Sequence, residues 1–173
     1  MKNPLHYQFS EYDCGPTSMQ NAISFLFERE EIPPEVLRNI MLYCLDCYSS
    51  EGVPGKSGTS CAAMMFLSNW LNSMGDLGIL PVKSRYLSGK EVYLGNESYV
   101  NDALRRGGAV VLRLFSDEWH YVLRYRRRGG NMSTCLIRIM IRKDMVLMTY
   151  RLSKIVRRAI IVLCRGNILI KLR

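Results

Sequence analysis

The chain has 173 residues, of which 48% are hydrophobic and 23% charged, and this excludes a disordered or low-complexity polymer and fits one domain with a sizeable core. Its net charge of +9 is uneven: residues 1–125 carry −3 and residues 126–173 carry +12, with Asp144 the one acid after position 125. A strongly basic protein invites a nucleic-acid or membrane partner, but here a mildly acidic body continues into a basic last quarter.

In chain order, residues 16–28 predict a helix. Pro16 suits the first turn, and Met19, Ala22, Ile23 and Leu26 repeat at helical spacing. A second helix is expected from Pro34 through EVLRNIMLYCL, and CYSSEGVPGKSGTS over 47–60 reads as a loop. SCAAMMFLSNWLNSM predicts a third helix that closes near Gly75, and ILPVKSRYL predicts a strand. SYVNDALRRGG predicts a short helix ended by glycines, and AVVLRLF and WHYVLRY predict two strands. Helices first and an antiparallel sheet afterwards make an α+β plan.

The opening MKNPLHYQFS lacks the apolar centre of a secretion signal, and no apolar run reaches transmembrane length. Six cysteines without such a signal predict reduced thiols of a cytoplasmic protein. Cys44 and Cys47 form a lone CLDC with no second ligand pair at zinc spacing, so neither metal nor other cofactor is expected.

Cys14 lies at the start of the first expected helix, in DCGP. A helix N-terminus favours thiolate through its dipole, and its unpaired N–H groups are suited to an oxyanion. Gly15 leaves room for a substrate backbone, and Pro16 gives up an N–H that has no helical acceptor. A buried apolar thiol is the plain alternative. A thiol nucleophile needs a base, and the chain has two histidines. His6 lies in the N-terminal segment, whereas His120 heads an apolar strand far along the chain. A helix-borne Cys facing a strand-borne His is papain-like chemistry.

The run QFSEYDCGPTS, Gln8 to Ser18, resembles the nucleophile motif of cysteine peptidase family thirty-nine. These are papain-like peptidases, best known as the domain of bacteriocin exporters that cuts double-glycine leaders. HYVLRY, opening at His120, is similar to that family's His-bearing strand, and the likeness covers about residues 3–128. The resemblance implies a papain-like fold, Cys14 as nucleophile, His120 as base, Gln8 as the oxyanion-hole amide, and a peptide or protein substrate. Two alternatives stay open: a catalytically impaired papain-like module that binds peptides, and a related acyltransferase using the same Cys–His pair.

The same family places an Asp after the His strand, expected near position 136. Here the window holds Leu136 and Ile137, and Glu118 is the acid nearest to His120 in sequence. The missing acid and the charge break fall together, and one change of reading frame near codons 124–131 accounts for both. On that reading residues 1–128 form the peptidase domain. Residues 129–173 are a frameshifted basic tail foreign to the fold, with disrupted C-terminal strands and nonspecific nucleic-acid binding as the one partner its charge invites.

Overall fold

The structure is a computed structural model of the chain. It describes residues 6–93, 95–115, 119–125, 138–141, 144–147 and 156–165, with side chains through 125 and again over 161–165. The element order is α1 (Cys14–Leu26), α2 (Pro34–Cys44), α3 (Cys61–Asp76), β1 (Val82–Ser88), α4 (Tyr99–Arg105), β2 (Ala109–Phe115), β3 (Trp119–Tyr125), β4 (Arg138–Ile141), β5 (Asp144–Leu147) and β6 (Val156–Arg165). The α+β plan expected from sequence is the plan observed.

Four strands form one antiparallel sheet in the order β1-β6-β2-β3, and β4 and β5 pair separately. On one face, α1, α2 and α3 bury Met19, Ile23, Val36, Ile40, Leu67 and Leu71 against Val111, Leu123, Ile161 and Leu163 of the sheet. On the other face, α4 buries Val100, Ala103 and Leu104 against Val110, Leu112, Val122 and Val162. Period-two alternation of the strands supplies both sets.

The boundary expected at 128 does not divide sheet from tail. Residues 156–165 run between β1 and β2, paired to both. The physical reason is the run AIIVLC: it is apolar at consecutive positions, and an inner strand covered on both faces buries both parities. Ile161 and Leu163 enter one core while Val162 and Cys164 enter the other. Position 136 and Glu118, where a third catalytic group was sought, lie outside the described residues.

The first helix starts two residues earlier than expected, so Cys14 is itself its first residue. The first helical bond runs from Thr17 N–H to Asp13 C=O at 3.0 Å, and Pro16 therefore falls where an N–H has no acceptor. The third helix is capped by Ser60, whose hydroxyl accepts from the Ala63 N–H at 3.0 Å. That helix runs through Gly75 to Asp76, and position 75 has room only for glycine, since a Cβ there would lie 2.2 Å from the Val82 carbonyl oxygen of β1.

Candidate active site

The segment before Cys14 is shaped by a buried carboxylate. Asp13 is 2% exposed; its Oδ2 accepts from the Phe9 N–H at 2.8 Å and its Oδ1 from the Ser10 N–H at 3.0 Å. Those bonds close a turn over residues 9–13 and deliver the chain to the helix start. Upstream, Asn21 of α1 holds the His6 main chain on both sides, accepting from its N–H at 2.7 Å and donating to its C=O at 3.0 Å. The N-terminal strip is thus fastened along α1.

Cys14 packs against β3. Ser18, one turn on, donates its hydroxyl to the Tyr121 carbonyl at 3.1 Å, and the Tyr121 main-chain N–H reaches the Cys14 sulfur. Burial pushes the Cys14 thiol above its ordinary range. The N–H groups of Tyr121 and Gly15 pull it back, and the neighbouring Asp13 charge adds to the rise.

Thr59 lies flat against the helix start. A Cβ at position 15 would fall 2.2 Å from its Oγ1 and 2.7 Å from its Cβ. Glycine is therefore required by contact with this loop, where the sequence had pointed to access for substrate. Cys14, Thr59, Arg113, Trp119 and Tyr121 wall a cavity of about 280 Å³, and Glu11, Tyr12, Ser57 and Gly58 complete it.

The structure brings Cys14 and β3 together but does not bring all the expected groups into that cavity. Trp119 and Tyr121 face it, and His120 between them does not line it. Strand alternation carries the His120 side chain to the face of Val122, opposite Leu114, both of which belong to the core under α4. Gln8 is half-buried, lies outside the cavity wall, and donates its amide to the Ser10 carbonyl at 3.4 Å. His6 is exposed.

Three groups at this site escaped the sequence. Arg113, from the middle of β2, has its guanidinium 4.6 Å from the Trp119 ring centroid and donates to Cys61 Sγ at 2.9 Å. Tyr121 donates its hydroxyl to the Ser60 carbonyl at 3.3 Å, tying β3 to the start of α3. Thr59 comes from the 47–60 loop. The one available signal was a charged residue inside an otherwise apolar strand, AVVLRLF.

The CLDC pair is structural. Asp46 accepts from the Ser60 N–H at 2.9 Å and from its hydroxyl, so it anchors the start of α3. Cys44 is fully buried, and burial drives its thiol far upward. Among the described residues no group of three or more His, Cys, Asp or Glu is arranged to hold a metal ion, and no helix is long and apolar enough to cross a membrane. Compared with family models, with curated proteins and with solved structures, the chain finds no match.

Proposed function

We propose that this chain is a papain-like cysteine peptidase domain in which Cys14 attacks a peptide carbonyl. The observation that carries the reading is the position of the sulfur: at the first residue of a 13-residue helix, on a cavity wall, beside the main chain of Tyr121. A helix start supplies N–H donors for the oxyanion, with the Gln8 amide as a further donor once it leaves Ser10. The Cys14 thiol gives its proton to the imidazole of His120. The sulfur then forms an acyl-enzyme while the imidazolium protonates the leaving amine, and water releases the acyl group. His120 sits next to Tyr121, so the step requires its side chain to come round to the Cys14 side.

A second reading is a peptide-binding module of the same build with little turnover. It is favoured by the burial that raises the Cys14 thiol and by the parity of β3, which sets His120 on the other face.

Hydrolysis of a peptide library, read by mass spectrometry, separates the two. Turnover abolished by Cys14→Ser and reduced about 10²–10⁴-fold by His120→Ala supports the peptidase. Peptide binding without cleavage supports the module, and cleavage that survives Cys14→Ser removes the sulfur as nucleophile. Transfer to an added amine in place of hydrolysis would mark an acyltransferase.

A further inference from the structure

Among the described residues no carboxylate pairs with the charge of Arg113. Its guanidinium lies 4.6 Å from the ring centroid of Trp119 and 5.7 Å from that of Tyr121, and among the described residues its hydrogen-bond acceptor is the Cys61 sulfur. A thiol is a weak acceptor for a permanently charged group with five donors. Its Nε is buried without a hydrogen-bond partner, and none of the ion pairs among the described residues includes it. Glu11, the acid on the cavity wall, is exposed and forms no ion pair with it. On the same wall, Thr59 is 6% exposed, and its hydroxyl is turned to the buried Cys44 thiol.

A permanently charged guanidinium on a cavity wall, met by a weak sulfur acceptor and by no described carboxylate, is what a pocket for an acceptor-only ligand requires. A carboxylate is such a ligand: it accepts at both oxygens, matches the guanidinium fork, and cancels its charge. We propose that the cavity beside Cys14 recognises a carboxylate of its peptide ligand through Arg113. The carboxylate comes from the peptide C-terminus or from an Asp or Glu side chain. The inference rests on reading the cavity as a peptide site, and does not require turnover.

Trp119 provides the readout, since it stacks on Arg113 and is one of two tryptophans. In a Trp70→Phe chain its emission is followed while three probes are added: N-acetyl-trialanine as the free acid, the same peptide as its amide, and the amide with Glu at the centre. At least one carboxylate peptide is expected to bind about tenfold or more tighter than the neutral amide, and which one identifies the source. Arg113→Gln should remove the preference, and Arg113→Lys keep part of it. Equal binding of all three, binding of none, or a preference that survives Arg113→Gln overturns the proposal. The acid-against-amide comparison needs no Arg113 variant to fold. A carboxylate preference without hydrolysis leaves this site standing and removes the peptidase reading; hydrolysis without the preference does the reverse.

Discussion

Cys14 and Gly15 act as a pair at the residue scale. Cys14 is 7% exposed and Gly15 is pressed on by Thr59, so the nucleophile's neighbour has no space for even one methyl group. Gly15→Ala is expected to destabilise the fold by about 1–3 kcal/mol through overpacking, seen as a lower urea midpoint. Thr59→Gly in the same chain should recover much of that loss, and no recovery would place the strain elsewhere. Asp13 raises the Cys14 thiol through its charge. Asp13→Asn is therefore expected to shift the pH profile of Cys14 alkylation downward. It should also loosen the turn that Asp13 holds through the Phe9 and Ser10 amides, read as faster hydrogen exchange there.

At the scale of elements, α1 and β3 define the site, and they show what the sequence can carry. The helix over Cys14–Leu26 was readable because its apolar positions repeat at helical spacing, and Pro16 marked its first turn though not its first residue. The strand over Trp119–Tyr125 was readable as a strand, but its parity was not. Tyr121, Leu123 and Tyr125 are apolar on one face, and Val122 is apolar on the other, because both faces of this sheet are covered. A strand buried on both sides gives no sequence signal for which residues face which helix. That ambiguity is why His120 was expected beside Cys14 and is found on the alternate face. Arg113 and Thr59 were hidden for a different reason. Their roles depend on β2 and the 47–60 loop meeting at one cavity, a contact between distant segments.

At the scale of the whole molecule, several titratable side chains are pushed toward their protonated forms. Burial raises the thiols of Cys14, Cys44 and Cys164, raises the phenol of Tyr121, and brings Tyr86 up to about 12. Below about pH 8.5 folded and unfolded chains both keep the thiol protons; above it the unfolded chain releases them and the folded chain does not. The folded state then binds more protons, so stability is lost as pH rises, by up to about 1.4 kcal/mol per pH unit for each such thiol. Urea midpoints at pH 7, 8.5 and 10 should fall in that order, and Cys44→Ala should flatten the decline. A midpoint that holds steady to pH 10 would mean the buried thiols do not govern it. Residues 156–165 belong to the same cooperative unit, since their strand pairs with both β1 and β2. Their apolar run was visible in the sequence, while its place inside the sheet was masked by the basic residues around it.

The most direct measurement of the central claim is to map, by peptide mass spectrometry, where a peptidyl acyloxymethyl ketone attaches to the chain at pH 7. Cys47 and Cys61 are half-buried and Cys14 is buried, so accessibility alone would modify Cys47 and Cys61 first. A peptidase site predicts the adduct on Cys14, suppressed by excess peptide and slowed by His120→Ala. An adduct spread over Cys47 and Cys61, with Cys14 unmodified and no effect of His120→Ala, would contradict it.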